Sequence, residues 1–269
     1  MAEEQIRTEL FGEVNAENYR STFAPERRSL SAGADLPAGW EGLYFPFSSP
    51  FARLRPDGTP GDDLLPDIDL PRRMYAGEDT TFYARLHVGD LVEQSASLGR
   101  VTEKTGASGR LVFADIVRRY SVGGRPAVES TWHDVFLGES SAPRRTLEHG
   151  PVVGEWSEEL TLDSRQLFRF SALTFNTHRV HYDKDWAIST EGLPGLLVHG
   201  PLTRMLLLDA VTARRDDALP SSFSFTASAP LYVDEKVVIV GHDPDDSTTV
   251  VVAVDHNGNV AAKGTAMWG

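Results

Sequence analysis

The sequence predicts an α+β chain built as two similar halves, each an antiparallel sheet around one long helix. Two observations carry that reading: an order of strands that occurs twice, and a helical apolar period that stands out in the second half. The length of 269 residues suits it, being long for one small fold and short for two domains of about 150 residues each.

The first group of strands starts at Leu86. It reads LHVGDLVEQSASL, then RLVFADIVRRYSVGGRPAVESTWHDVFL, with apolar stretches of strand length and a turn signal at Gly123-Gly124. The second starts at Leu231 and reads LYVDEKVVIVGHD, then TTVVVAVDHNGNVAAKGTAMW, where Asn257-Gly258 is a two-residue hairpin signal. Residues 86–90 align with 231–235, and each block runs on through strand, link, strand, tight turn and a last strand carrying Trp132 or Trp268. This order describes a diverged internal duplication. In the second half Pro201 opens PLTRMLLLDAVTARR, which sets Leu202, Met205, Leu206 and Ala210 on one helical face. The matching first-half helix is expected before its strands, in residues 16–21 or the aromatic stretch 40–47. The chain thus divides into residues 1–138, a linker over 139–154 with Pro143, Arg144, Arg145 and Pro151, and residues 155–269. Residues 55–71, rich in Pro, Gly and Asp, read as a solvated loop.

Composition removes several classes of function. Lys plus Arg is 26 against 39 Asp plus Glu, a net charge of −13, and no basic stretch offsets it, which argues against nucleic acid. With Cys 0 there is no disulfide, thiolate nucleophile or cysteine-ligated zinc. The start MAEEQIRTEL lacks a signal-peptide pattern, so a cytoplasmic protein is expected. No apolar run approaches the roughly 20 residues of a membrane span.

Chemistry concentrates between residues 168 and 204. His178, His181 and His199 fall there, beside Asn176 and the acids Asp183, Asp185 and Glu191. H-x-x-H with a distant third His matches no common zinc spacing, so no metal is expected. There is no G-x-S-x-G elbow, and Thr174 and Thr177 have no partner that spacing assigns. Acid–base work by neutral histidine remains. Val198-His199-Gly200-Pro201 precedes the helix, where first-turn N–H groups lack intrahelical acceptors and a glycine admits a carbonyl oxygen closely. Such donors stabilise a thioester enolate. The same residues also read as a plain turn and helix start, with histidines satisfied by backbone carbonyls. Asp183 is expected to cap a short helix at residues 185–187.

At these residues the sequence resembles the MaoC-like hydratase and dehydratase family of the hotdog fold. Its signature, S-G-D-x-N-P-x-H-x-D followed by an apolar H-G, is matched in frame by Thr174-Phe175-Asn176-Thr177-His178-Arg179-Val180-His181-Tyr182-Asp183 and by His199-Gly200. His181 then matches the catalytic histidine and Gly200 the oxyanion glycine. Asn176 falls on the catalytic aspartate and His178 on its supporting asparagine, and Asn cannot accept a proton at this pH. This variant, with E-G-L-P-G-L-L-V-H-G-P-L after it, resembles the branch of mesaconyl-C4-CoA hydratases and mitochondrial-type 3-hydroxyacyl-thioester dehydratases. Residues 70–77 and 101–106 resemble that branch's amino-terminal domain.

The resemblance implies a double hotdog, with a non-catalytic amino-terminal unit and the catalytic motif in the carboxyl-terminal one. It implies reversible hydration of a 2-enoyl thioester without metal or redox cofactor, on a short, branched or carboxylated acyl group. His181 is the expected acid–base, the Gly200 amide the oxyanion donor, and Asn176 the group that orients water or His181. His178, Arg179, His199 and Tyr75 are expected to flank the substrate, with Glu191 or Glu103 as a further proton carrier. CoA is favoured over an acidic acyl carrier protein by the charge of −13, and Arg72 and Arg73 are candidates for its phosphates. They read equally as exposed partners of Asp62, Asp63, Asp67 and Asp69. Trp40, Tyr44, Phe45 and Phe47 are candidates for the acyl pocket wall or for core. A thioester hydrolase and a non-catalytic acyl-CoA-binding protein are the rival classes. A duplicated chain is expected to be complete as a monomer, with one site between its halves and a homodimer optional.

Overall fold

The structure is a computed structural model that describes residues 4–60, 64–106, 109–138, 152 and 154–269. The first half contains β1 (Gln5–Leu10), α1 (Glu13–Phe23), a 3-10 turn (Trp40–Leu43), a second one (Phe51–Arg53), β2 (Arg72–Phe82), β3 (Leu91–Gly106), β4 (Gly109–Val122) and β5 (Arg125–Leu137). The second contains β6 (Trp156–Thr161), α2 (Ser164–Thr174), a 3-10 turn (Arg179–His181), α3 (Lys184–Ser189), α4 (Gly200–Ala213), β7 (Ser222–Ala227), β8 (Lys236–Asp245), β9 (Thr248–Val254) and β10 (Val260–Met267).

All strands join one antiparallel ten-stranded sheet in the order β1-β3-β4-β5-β2-β7-β10-β9-β8-β6. Read inward from either edge the two halves have the same order, with β1, β3, β4, β5, β2 answered by β6, β8, β9, β10, β7. This is the double hotdog, and the repeated order is the duplication seen in three dimensions. The halves meet where β2 pairs with β7, from Gly77↔Thr226 to Thr81↔Ser222. Gly77 is required there, since a Cβ would stand 2.3 Å from the Phe225 carbonyl oxygen.

The two halves fill their concave faces differently. In the second, α4 lies in the sheet with Leu202, Leu207 and Leu208 fully buried, because an apolar helix enclosed on most sides gains from burial around its whole circumference. In the first, α1 answers α2 and contains residues 16–21, but no long helix answers α4. Its place is held by the 3-10 turn Trp40–Leu43. Gly39, at φ 88° with Pro37 two residues before it, breaks any helical run into this turn. Aromatic rings pack there instead: Trp40, Tyr19 and Phe11 are fully buried, and Phe11 stacks on Tyr44 at 4.0 Å between centroids. A ring cluster fills less length than a helix, and a cavity remains beside it.

The expectation of a solvated loop at 55–71 is corrected for its first part. Asp57 and Thr59 are buried, and Asp57 accepts from the Thr59 hydroxyl at 2.7 Å. Residues 61–63, with Asp62 and Asp63, and nearly all of the 139–154 linker lie outside the described residues. Among the described residues no helix is long and apolar enough to cross a membrane.

Candidate active site

The histidine motif is held between the halves by its backbone. Asp163 caps α2 with bonds from the Arg165 and Gln166 N–H groups, and the helix ends at Phe175 in the left-handed region. The Asn176 N–H then donates to the Ser171 carbonyl at 2.8 Å. Its side-chain oxygen accepts from the His178 N–H at 3.0 Å, an Asx turn that sets the direction of the next residues. The 55–60 loop closes over this turn: Thr177 Oγ1 donates to the Gly58 carbonyl at 2.7 Å, and the Arg179 N–H donates to the Asp57 carbonyl at 2.8 Å. A Cβ on Gly58 would stand 1.9 Å from the Thr177 carbonyl oxygen. Asp183 caps α3 through the Trp186 N–H at 3.0 Å, as the sequence predicts, and also holds Arg179 at 2.7 Å.

Three histidine rings gather where the 3-10 turn Arg179–His181 meets the start of α4. His181 and His199 stack at 3.6 Å between centroids, and His178 meets His181 edge-on at 5.2 Å. The His181 Nδ1 lies 2.7 Å from the Leu197 carbonyl oxygen, so Nδ1 carries the proton and Nε2 keeps its lone pair. Burial, then the adjacent His178, pulls the His181 imidazole down to about 3, against the opposing pull of the Leu197 carbonyl. His178 is pulled down to about 4 by burial and by the guanidiniums of Arg73, Arg72 and Arg55. His199 is fully buried, with Nε2 at 2.9 Å from Ser171 Oγ, and burial holds it well below the usual range. All three rings are neutral at pH 7.

Gly200 is the first residue of α4, and its N–H has no acceptor among the described residues. A Cβ on Gly200 would stand 2.4 Å from the Tyr75 ring. Tyr75 itself stacks on Phe225, meets Trp132 edge-on, and donates to Glu78 Oε2 at 3.2 Å. It therefore seats the start of α4 against β2.

A cavity of about 180 Å³ opens beside the motif, between the first-half sheet, the 3-10 turn at Trp40 and the starts of α4. Asn176 and Thr174 form part of its wall, as do Tyr44, Phe45 and Phe47, while Trp40 belongs to the core. His178, His181, His199, Gly200 and Tyr75 stand outside that wall. They adjoin it through Asn176, which bonds His178, and through Pro201, which follows Gly200.

Two expectations about cations and acids are corrected. Arg73 is buried and bound to Asp134 through Nε at 3.0 Å and Nη2 at 2.6 Å, so it is a structural ion pair under the 55–60 loop and no open phosphate cation. Arg72 pairs with Glu191 at 3.0 Å, and among the described residues not with Asp67 or Asp69. Glu103 is exposed on β3 and pairs with Arg110 at 2.8 Å, which removes it as a proton carrier for the motif. Sequence reasoning missed Arg118, Arg204, Glu41 and Glu78, all in the cavity wall. Their signal was present: each charge falls at an inward position of a strand or of an otherwise apolar element.

Comparison with known proteins agrees with this architecture. The profile of the family described as hydroxyacyl-thioester dehydratase type 2 matches residues 39–233. The chain is 33% identical over 254 residues to the mesaconyl-C(4)-CoA hydratase of Chloroflexus aurantiacus, covering 88% of this chain and 90% of that protein. Among solved structures, a MaoC-like dehydratase from Phytophthora capsici superimposes with TM-score 0.73 at 13% identity, covering 100% of this chain and 96% of that one. HtdX of Mycobacterium tuberculosis superimposes with TM-score 0.72 at 18% identity, over 98% and 99% of the two chains. The repeated five-strand order, the histidine turn set against the start of α4 and these matches together place the chain in the hydroxyacyl-thioester dehydratase type 2 family, as a MaoC-like hydro-lyase that interconverts 2-enoyl and 3-hydroxyacyl thioesters.

Proposed function

We propose that the substrate is a CoA thioester with a short, branched or carboxylated acyl group, reacting at the Asn176 and Pro201 end of the cavity. The observation that carries the proposal is the His181 to Leu197 bond of 2.7 Å, which leaves Nε2 as a free base on a ring stacked against His199, the residue before Gly200, whose N–H has no acceptor among the described residues. In hydration His181 Nε2 takes a proton from water as the water oxygen bonds to Cβ. The double-bond electrons move toward the thioester oxygen, which the Gly200 N–H receives. The imidazolium then returns its proton to Cα, and dehydration runs the same steps backwards. One base serves both proton transfers, so Asn176 has no proton to accept. Its Nδ2, without an acceptor among the described residues, is a donor for the water.

The carrier is argued from charge. Arg72 and Arg73 are neutralised by Glu191 and Asp134, and the field of Arg55, which also depresses His178, favours the phosphates of CoA near the motif. The 33% identical relative is by name a CoA-ester hydratase, which supports the same carrier. One site per chain, between the halves, follows from a motif present only in the second half, with dimerisation optional.

A panel of short, branched and carboxylated enoyl-CoA and 3-hydroxyacyl-CoA thioesters tests the reading. Loss of enoyl absorbance without thiol release is expected. Release of free CoA thiol would mark a hydrolase instead, and saturable binding with no turnover across the panel would mark a binding protein.

A further inference from the structure

The charges of the cavity wall have no part in the reaction above. Three guanidiniums line it, from Arg7, Arg118 and Arg204, against two carboxyls, from Glu41 and Glu78. Arg7 directs its donors to the carbonyls of Phe45 and Pro46 at 2.7 and 2.9 Å. Arg204 is buried, donates to Thr80 Oγ1 at 2.6 Å, and lies 3.6 Å from Glu78 Oε2. Its Nε has no hydrogen-bond partner. Arg118 differs from both. Among the described residues its side chain makes neither a hydrogen bond nor an ion pair, and its guanidinium carbon sits 4.7 Å from the centre of the Trp132 ring.

The sheet keeps this guanidinium uncrowded. On β4 the inward positions run Val112, Ala114, Ile116, then Arg118 and Tyr120. The cross-strand partners of Arg118 are Ala96 on β3 and Ser130 on β5, two of the smallest side chains available. Trp132 is held in turn, its Nε1 donating to Asp134 Oδ1 at 2.9 Å, and Asp134 is the partner of Arg73. The Trp132 ring stands 6.5 Å from the Phe47 ring, and the Phe47 N–H donates to the Thr174 carbonyl, two residues before Asn176. Arg118 therefore stands one aromatic ring beyond the motif end of the cavity. Of the two acids, Glu78 faces Arg204, its Oε2 3.6 Å from the Arg204 Nε, and neither acid pairs with Arg118 among the described residues.

We propose that Arg118, seated on Trp132 between Ala96 and Ser130, binds a carboxylate at the far end of the acyl chain. The enzyme then selects enoyl thioesters with a distal carboxylate over equally short hydrocarbon ones. A planar guanidinium on an aromatic face pairs with a carboxylate in two parallel hydrogen bonds, a geometry a methyl group cannot use. The proposal rests on the hydratase reading of the site and adds the residue that chooses the substrate.

The test compares fumaryl-CoA with crotonyl-CoA, which differ by a carboxylate in place of a methyl group. Wild type is expected to prefer fumaryl-CoA in kcat/KM by at least about tenfold, and Arg118→Met to reduce that ratio by about tenfold to a hundredfold, chiefly through KM, the range for losing a charged hydrogen-bonded partner. Arg118→Lys is expected to keep part of the preference, which separates lost charge from a disturbed sheet. No preference in wild type, or an unchanged ratio in Arg118→Met, overturns the proposal while the hydratase reading stands. Turnover of neither thioester overturns both.

Discussion

The His181 Nδ1 stands 2.7 Å from the Leu197 carbonyl oxygen, so one backbone acceptor decides which nitrogen of the ring meets the substrate. Leu197 is itself tied to the same turn, its N–H donating to the Val180 carbonyl at 2.9 Å. Ring and acceptor thus move together. His181→Ala is expected to lower kcat by at least about a hundredfold with the fold intact, the scale of a lost positioned acid–base group.

The pH profile follows from the same environment. An imidazole pulled down to about 3 stays an unprotonated base through the range where an ordinary histidine protonates. Hydration kcat/KM is therefore expected to stay level from pH 8 to about pH 5. A limb with apparent pKa near 6.5 that disappears in His181→Ala would contradict the assigned environment.

Asn176→Asp is not expected to restore a more active enzyme. The Asn176 side-chain oxygen already accepts from the His178 N–H at 3.0 Å, and a carboxylate would keep that bond. The change falls on Nδ2, a donor replaced by an acceptor that carries charge. Activity unchanged or lowered is the expected result of steady-state kinetics on an enoyl-CoA. A large gain would show that a second proton carrier is what the site lacks.

Gly200→Ala separates packing from helix propensity by its sign. Alanine in a helix is ordinarily worth about 0.5–1 kcal/mol over glycine, but here its Cβ would stand 2.4 Å from the Tyr75 ring. That ring is held by Phe225 and Trp132, so α4 must shift. A loss of about 1–3 kcal/mol in denaturant unfolding is expected, with lower activity because the N–H moves with the helix. A stabilised, fully active variant would remove both roles of the glycine.

What the sequence makes legible is what local signals encode. Asn257-Gly258 marks the β9–β10 turn, and Pro201 marks the start of α4, because both act within a few residues. The histidine turn is also local, since Asn176, His178 and His181 lie in one short stretch. The contents of the first half are another matter. Whether residues 24–47 fill the sheet with a helix or with Trp40 and Tyr44 depends on partners far along the chain, such as Asp209, which accepts from Trp40 Nε1 at 2.9 Å. Gly58 reads as loop punctuation until Thr177 is placed against it. Arg118 was readable in part, as a charge at the inward phase of an apolar strand, but its aromatic seat and small neighbours belong to two other strands, β3 and β5.

Asp209 also supplies a test of how the halves are joined. It lies on α4 and accepts from Trp40 and Tyr19 of the first half, and Arg27 stands 3.3 Å away. Burial pushes its carboxyl up to about 6, against Arg27 and the two donors. A carboxylate whose folded-state pKa is raised above its unfolded value of 3.8 makes the native state bind the extra proton. Its contribution to stability is present below about pH 4 and lost as pH rises through about 6. A shift of this size corresponds to about 3 kcal/mol. Other groups titrate in the same range, so the quantity to measure is a difference. Unfolding free energies of wild type and Asp209→Asn, taken from pH 4 to 7, are expected to show wild type losing ground to the variant as pH rises, by a few kcal/mol at most. Asparagine keeps an acceptor oxygen for Trp40 Nε1, and its Nδ2 can donate to the Tyr19 hydroxyl oxygen, so the helix and the turn stay joined. A difference that is constant with pH would mean that the Asp209 carboxyl is ionised throughout, with Arg27 offsetting its burial.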